Sequence, residues 1–172
     1  MRTPKERLLG LYERVYSRRR LTVALYYLSL LASLVIALSY AAVLCFELVR
    51  DLVYGAQFLA VTSIPFLLGT LLRHIINRPR PYEVLDTPLL EGLRAGGRRG
   101  ESFPSRHTLS AMLIGSAICF IHLPLGIVLL GLGICVGACR VLLGYHFLSD
   151  VLAGGAIGAL SGVVGMIIVN FS

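Results

Sequence analysis

Four long stretches of the chain contain no aspartate, glutamate, lysine or arginine, and they restrict the fold more than any other feature. They are Leu21–Phe46, Leu52–Leu72, Thr108–Cys139 and Val151–Ser172. A helix needs roughly 20 apolar residues to cross the hydrocarbon layer, so the first, second and fourth runs each fit one crossing. Only 15% of the residues are charged, against about 25% in soluble domains. The pattern predicts an integral membrane protein.

The third run is too long for one crossing and is interrupted at His122–Pro124. We therefore predict a helical hairpin with Pro124 in the first turn of its second helix. The prediction is an all-α, polytopic transmembrane helix bundle of about five spanning helices over residues 21–172. The first run fits one tilted helix; a short hairpin within it is the alternative, and would move the polar site to the other membrane face.

Residues 1–20 hold seven basic and two acidic residues, interleaved with apolar ones at roughly helical spacing. This predicts an N-terminal amphipathic helix on an anionic lipid surface; the alternative is a basic tail that only sets topology. Seven more basic residues lie from Arg73 to Arg106. Because basic segments stay on the cytoplasmic side, we expect a cytoplasmic N-terminus and a cytoplasmic site. No targeting signal is evident, so we expect a bacterial inner membrane.

One sizeable polar loop interrupts the apolar pattern, at residues 77–105. Its prolines and glycines predict no helix there. The stretch Arg94–Glu101 is basic and glycine-rich. It suits a lid or a flap that faces lipid headgroups, and a plain solvated loop is the equal alternative.

Three polar clusters lie at the edges of the apolar runs, at residues 73–81, 102–107 and 140–150. Charged groups are costly inside a bilayer and far less costly at its surface, so the clusters indicate one polar site at one membrane face. Guanidinium groups bind phosphate oxygens, and histidines move protons or attack phosphorus. The spacing of His146 and Asp150 brings them together if a helix begins there, so that the carboxylate orients the imidazole.

Each cluster alone has a simpler explanation. Arg73 and Arg78 suit interfacial side chains at a helix end, and His107 suits a lone interfacial histidine. Asp150 suits a helix N-cap, a role compatible with orienting His146. The case for a functional site depends on the three clusters occurring together.

The four cysteines lie within or at the ends of apolar runs and are interpreted as core residues. No paired cysteine motif, HExxH motif or carboxylate-rich loop is present in the sequence. We expect chemistry that needs no metal and no cofactor.

The three clusters resemble the signature of the type 2 phosphatidic acid phosphatase family, or lipid phosphate phosphatases, which shares its fold with vanadium haloperoxidases. That signature reads KxxxxxxRP, then PSGH, then SRxxxxxHxxxD. The residues of this chain that match it are Arg73 and Arg80-Pro81, then Pro104-Ser105-Arg106-His107, then Cys139-Arg140, His146 and Asp150.

The resemblance implies a role for each matched residue. His146 would attack phosphorus and form a phosphohistidine, with Asp150 hydrogen-bonded to it. His107 would protonate the leaving alkoxide or phosphate and then activate the water that frees the enzyme. The residues that would bind the phosphate are Arg73, Arg80, Ser105, Arg106 (through its backbone amide) and Arg140.

Three positions depart from the family pattern. Arg73 replaces lysine and Cys139 replaces serine, which removes a hydrogen-bond donor. Arg106 replaces glycine and adds a large cation beside the site. We hypothesise that Arg106 binds a second phosphate or an acidic headgroup.

We therefore predict a metal-independent lipid phosphatase whose substrate is undecaprenyl diphosphate, phosphatidylglycerophosphate or phosphatidate. Its partners would be the lipid bilayer and the lipid substrate, with no nucleic acid; the sequence does not indicate an oligomeric state. The alternatives are a lipid phosphotransferase, which passes the phosphoryl group to another alcohol, and a non-catalytic lipid-binding protein of the same fold.

Overall fold

The computed structural model describes residues 3–85, 87–97 and 99–171. Met1 and Arg2 of the predicted surface segment, and Asp86 and Arg98 of the predicted loop, lie outside these ranges. Within them, regular secondary structure is helical throughout, including a 3-10 turn at Pro88–Leu90. The α-helices are α1 Pro4–Tyr16, α2 Arg19–Arg50, α3 Leu52–Ile76, α4 Pro81–Val84, α5 Glu91–Gly96, α6 Arg106–Cys119, α7 Leu123–Leu142 and α8 Leu148–Phe171.

Four segments in the described ranges are long and apolar enough to cross a membrane: α2, the stretch Leu52–Val84 that contains α3, α7 and α8. Many of their large apolar side chains are exposed, as on α2, where Leu31 and Leu38 are 58% and 62% exposed. Side chains of this kind suit a hydrocarbon solvent and not water. The prediction of an all-α membrane bundle is confirmed.

The predicted hairpin is formed by α6 and α7, with His122 as the N-cap of α7 and Pro124 in its first turn. Helix α6 has 14 residues, so at 1.5 Å per residue it is about 21 Å long, shorter than the other four. It is the central helix and packs against α2, α3, α7 and α8. The fifth predicted crossing is therefore a short helix enclosed by longer ones.

Helix α2 is continuous over 32 residues, so the first apolar run contains no hairpin. Helix α3 begins directly after it, because the Asp51 carboxylate accepts hydrogen bonds from the backbone N–H groups of Val53 and Tyr54. The alternative topology, which would have moved the polar site to the other face, is wrong.

The closest helix contact joins α8 to α6. Gly154, Gly158 and Gly162 lie four residues apart on α8, and a Cβ atom at any of them would overlap backbone atoms of the α6 segment. Small residues at this spacing allow two helix backbones to approach closely in a membrane. The contact fixes the N-terminus of α8 beside that of α6.

Helix α1 forms as predicted, with a capping box between Thr3 and Glu6. Its apolar side, however, packs on the protein. Tyr12 is fully buried against a cluster that contains Tyr82 and Leu90, and the Tyr16 hydroxyl donates to the Leu143 carbonyl at 3.0 Å. Helix α1 therefore supports the loops around the polar site.

The prediction that prolines and glycines exclude helix from residues 77–105 is wrong. Helices α4 and α5 and the 3-10 turn all lie in this segment. Pro81 and Pro88 occupy first-turn positions of short helices, where the missing N–H has no intrahelical acceptor anyway. Proline thus begins these helices.

Candidate active site

The three polar clusters meet at one end of the bundle. This end contains the C-terminal ends of α3 and α7 and the N-terminal ends of α6 and α8, because long helices that follow one another along the chain run antiparallel. Between them lies a cavity of about 310 Å³. The residues that line it are Arg73, Arg80, Tyr82, Gly97, Arg106, His107, Arg140, Tyr145 and His146.

Arg73 and Arg80 are held by the loop that follows α5. The Arg73 guanidinium donates to the Glu101 carbonyl at 2.5 Å, and Arg80 Nε donates to the Gly100 carbonyl at 2.9 Å. The Glu83 carboxylate accepts from the backbone N–H groups of Arg80 and Gly100. Both arginines are nearly buried, at 5% and 8% exposure. The main chain therefore positions these two cations before any ligand binds.

Arg140 and Arg106 reach the cavity from helix ends. The Arg140 guanidinium lies 5.2 Å from the Tyr145 ring centroid, a cation–π contact. Its Nε atom is buried and has no hydrogen-bond partner among the described residues. Arg106 is the first residue of α6. A buried donor without an acceptor is costly unless a ligand supplies one, so the arrangement suits an anion.

Ser105, predicted to contact phosphate, does not line the cavity. It is fully buried, its hydroxyl is 3.1 Å from that of Thr108, and its N–H donates to the Asp150 carbonyl at 2.9 Å. Ser105 therefore ties α6 to α8 behind the cavity wall. Cys139 is also buried and is not among the lining residues.

His146 is held mainly by a main-chain carbonyl. Its Nδ1 lies 2.8 Å from the Ser102 carbonyl oxygen and 3.8 Å from Asp150 Oδ2. A carbonyl only accepts hydrogen bonds, so Nδ1 carries the proton and the neutral ring has its lone pair on Nε2. The direct bond predicted between Asp150 and His146 is replaced by a longer contact, because the Ser102 carbonyl occupies the nearest position.

Ser102 connects the two residues, and sequence reasoning assigned it no role. Its hydroxyl donates to Asp150 Oδ2 at 2.5 Å and lies 3.4 Å from His146 Nδ1. The same carboxylate oxygen accepts from the Phe147 N–H at 2.9 Å. Asp150 is fully buried, so these donors stabilise a charge that water cannot reach.

Arg78 is the second missed residue. Taken alone, its sequence position suits an interfacial side chain, but it donates to Asp150 Oδ1 at 2.6 Å and to the Ser149 hydroxyl at 2.8 Å. Its guanidinium carbon also lies 4.6 Å from the Phe147 ring centroid. The sequence does place Arg78 between Arg73 and Arg80, in a cluster of arginines. In the structure, Arg78 is the arginine of this cluster that neutralises the buried Asp150 carboxylate.

Burial lowers the pKa of His146, the Asp150 carboxylate 3.8 Å from Nδ1 partly offsets this shift, and the charges of Arg80 and Arg73 lower the pKa further. Because its pKa is lowered, the His146 imidazole is neutral near pH 7 in the empty site. His107 is the second residue of α6. It is exposed and lines the open cavity.

Fold and cavity together define a helical membrane protein with an arginine-lined, histidine-containing anion site at one end. The chain belongs to the PAP2 superfamily, whose family model matches residues 54–172. This match includes every residue that lines the cavity.

Among similar proteins are two named lipid A 1-phosphatase, from Rhizobium johnstonii and Rhizobium etli. They are 31% identical over 106 residues and 30% identical over 105 residues, which is 61% and 60% of this chain. The matched segments cover 43% and 45% of the relatives. The chain thus matches less than half the length of each.

Two crystal structures share the fold. LpxE from Aquifex aeolicus has a TM-score of 0.66 and 22% identity, and the match covers 92% of this chain and 94% of that one. A transmembrane PAP2-type phosphatidylglycerolphosphate phosphatase from Bacillus subtilis has a TM-score of 0.68 and 21% identity, over 96% of this chain and 84% of that one. The whole bundle is therefore a known membrane fold.

Proposed function

We propose that this protein is a lipid phosphatase that releases orthophosphate from a phosphorylated membrane lipid through a phosphohistidine at His146. The proposal depends most on the contact between His146 and a main-chain carbonyl, which selects the tautomer of the ring. Its Nδ1–H is committed to the Ser102 carbonyl at 2.8 Å, which leaves Nε2 as the nucleophilic atom on a ring that lines an arginine-rich cavity.

The arginines would bind the substrate and the transition state. Arg73, Arg80 and Arg140 would neutralise the phosphoryl oxygens, a contribution that usually dominates the catalysis of phosphoryl transfer. Because Arg73 and Arg80 are already fixed by main-chain carbonyls, little reorganisation is needed when charge develops.

His146 and His107 would then divide the two steps. In the first step the Nε2–P bond forms while the P–O bond to the lipid breaks, and His107 gives a proton to the leaving oxygen. In the second step His107 takes a proton from water, the water oxygen binds phosphorus, and the N–P bond breaks. The Asp150 carboxylate, 3.8 Å from Nδ1, would stabilise the cationic phosphohistidine.

Family membership and relatives named as lipid phosphatases support the class of substrate. The candidate lipids are phosphatidate, phosphatidylglycerophosphate, undecaprenyl diphosphate and, from the names of the relatives, a lipid A 1-phosphate. We place the protein in a bacterial inner membrane with its N-terminus and active site cytoplasmic, because 1–20 and 73–106 hold most basic residues of the chain.

The test is orthophosphate release from these lipids in detergent micelles that contain EDTA. Wild type is compared with His146→Ala and with His122→Asn, a control at the opposite end of the bundle that keeps a side chain able to cap α7. We expect release by wild type and by the control, and none by His146→Ala. Release by His146→Ala would refute the nucleophile, and labelled phosphate found only on an added alcohol would indicate a phosphotransferase.

A further inference from the structure

We infer that Arg106 forms a second anion-binding subsite on the leaving-group side of the cavity, and that the preferred substrate is a lipid diphosphate whose inner phosphate this guanidinium binds. The inference rests on the proposed function and names the substrate class of the same site. It concerns a residue at which this chain departs from the PSGH pattern, since arginine stands in place of glycine.

The charge of the cavity exceeds what one phosphoryl group can neutralise. Four guanidinium groups line it, and no carboxylate is present among its described lining residues. A phosphate monoester carries a charge of about −1.5 to −2 at neutral pH. The Glu101 carboxylate, 3.9 Å from the Arg73 guanidinium, offsets one of these charges. About one positive charge would therefore face a single phosphate without compensation, and a second phosphate would neutralise it.

The arginines are not equivalent in position. Arg73 and Arg80 are anchored to loop carbonyls, and their charges act on the nucleophile His146. Arg106 precedes His107 in the first turn of α6, and both residues line the cavity from this helix end. The Arg106 guanidinium makes no hydrogen bond or ion pair within the described ranges. It is thus available on the side where the leaving group departs.

The cavity also has room for two phosphates. A volume of about 310 Å³ equals roughly ten waters at about 30 Å³ each. One phosphate has five non-hydrogen atoms and fills about half of this space. The remainder accommodates the inner phosphate of a diphosphate beside Arg106.

A diphosphate also has a better leaving group than a phosphate monoester. As the bond from His146 Nε2 to the outer phosphorus forms, the bond from that phosphorus to the bridging oxygen breaks, and its electron pair leaves with the lipid monophosphate. Water then displaces the histidine, and orthophosphate and a proton are released. The leaving monophosphate has a second pKa of about 6, so it departs without the proton that an alkoxide requires. Its departure therefore needs no proton from His107.

The experiment compares two lipids with the same body, dioleoylglycerol diphosphate and dioleoyl phosphatidate, as substrates of the full chain in micelles. We expect wild type to favour the diphosphate in kcat/KM. Arg106→Gln should lower kcat/KM for the diphosphate about tenfold or more, as expected for a lost charged hydrogen bond. The value for phosphatidate should change much less. Arg106→Lys should recover part of the loss, and Arg14→Gln, at an exposed position of α1, should have no effect.

The variant His107→Ala tests the leaving-group argument independently of Arg106. Its loss of kcat/KM, which reports the steps up to formation of the phosphohistidine, should be smaller for the diphosphate than for phosphatidate, because only the alkoxide needs a proton from this residue. Equal losses of Arg106→Gln on both lipids would overturn the inference and would make Arg106 a contact of the scissile phosphate. Unchanged rates on both would overturn it as well.

A binding measurement separates failure of this inference from failure of the proposed function. If wild type hydrolyses neither of these two lipids, nor phosphatidylglycerophosphate, undecaprenyl diphosphate or lipid A 1-phosphate, the proposed function fails. The subsite is then tested by the rise in Tm that inorganic pyrophosphate and orthophosphate produce. Stronger stabilisation by pyrophosphate in wild type and Arg14→Gln, lost in Arg106→Gln, would support the subsite. Equal responses of all three proteins would refute it.

Discussion

His146 is held by an oxygen that belongs to the main chain, and this decides which of its nitrogens can react. A side-chain carboxylate can gain a proton and become a donor, but the Ser102 carbonyl can only accept a hydrogen bond. Because its oxygen lies 2.8 Å from His146 Nδ1, the proton of the neutral ring stays on Nδ1. Asp150 acts from 3.8 Å and through the Ser102 hydroxyl. At the residue scale, Ser102 is therefore a positioning residue that joins His146, the proposed nucleophile, to the Asp150 carboxylate.

Replacing Ser102 by alanine keeps the carbonyl and removes the hydroxyl. The Asp150 carboxylate then loses the donor at 2.5 Å and is held less firmly beside the imidazole. We expect kcat to fall about tenfold, which corresponds to the loss of one hydrogen bond to a charged group. KM should be nearly unchanged, because Ser102 does not line the cavity. Steady-state kinetics of Ser102→Ala and of the control Ser33→Ala on α2 measure this; an unchanged kcat would contradict it.

The lowered pKa of His146 gives a prediction about pH. Its ordinary value is 6.5, and burial places the pKa in the folded protein below this. Long-range ¹H–¹⁵N NMR of histidine-labelled protein, assigned with His146→Gln, should show Nδ1–H and a protonation midpoint below 6.5. Because the unfolded chain takes up this proton at higher pH than the folded one, stability should fall as pH drops below about 6.5. A midpoint at or above 6.5, or an Nε2–H tautomer, would contradict the account.

The sequence predicted which residues meet but not how they are connected. Arg73, Arg80, Arg106, Arg140, His107 and His146 follow from three clusters at the ends of apolar runs, and all line the cavity. The bonds of Ser102 and Arg78 to Asp150 join residues 48 and 72 positions apart. Such contacts depend on how the helices pack, and no local spacing encodes them.

At the scale of elements, the contact between α6 and α8 sets the distance between the two histidine-bearing segments. Gly158→Ala would place a methyl group against the Leu109 carbonyl. Gly155→Ala, one turn away, would meet atoms only at 3.6 Å or more. We expect the first change to cost about 1–3 kcal/mol, as for overpacked cores, and to lower activity, and the second to be nearly neutral. Unfolding by SDS titration measures both; equal effects would contradict the close contact.

The long helices were predictable because hydrocarbon imposes a length and excludes charge. The short ones were not. Helices α4 and α5 lie where proline and glycine suggested an irregular loop, and they are stabilised by tertiary contacts such as the burial of Tyr82 and Leu90 under Tyr12 of α1. The partner of the apolar side of α1 was likewise missed, because a lipid surface and a protein surface favour the same amphipathic pattern.

At the scale of the whole molecule, α1 and the cavity lie at the same end of the bundle, and the Arg50–Asp51 turn lies at the other. The distribution of basic residues predicts that the first end is cytoplasmic. In a Cys45→Ala background, Lys5→Cys should resist an impermeant thiol reagent in intact spheroplasts and react after lysis. Arg50→Cys should react in both. The reverse pattern would place the active site outside.

The central claim is that His146 Nε2 receives the phosphoryl group, and trapping that intermediate tests it most directly. Enzyme mixed with a lipid labelled in its terminal phosphate is quenched in alkali within one turnover, digested and examined by mass spectrometry. The account predicts an acid-labile, alkali-stable phosphoryl group on His146, which should accumulate in His107→Ala because that variant lacks the base for the second step. No phosphorylated His146 in either protein, with lipid still hydrolysed, would contradict the account.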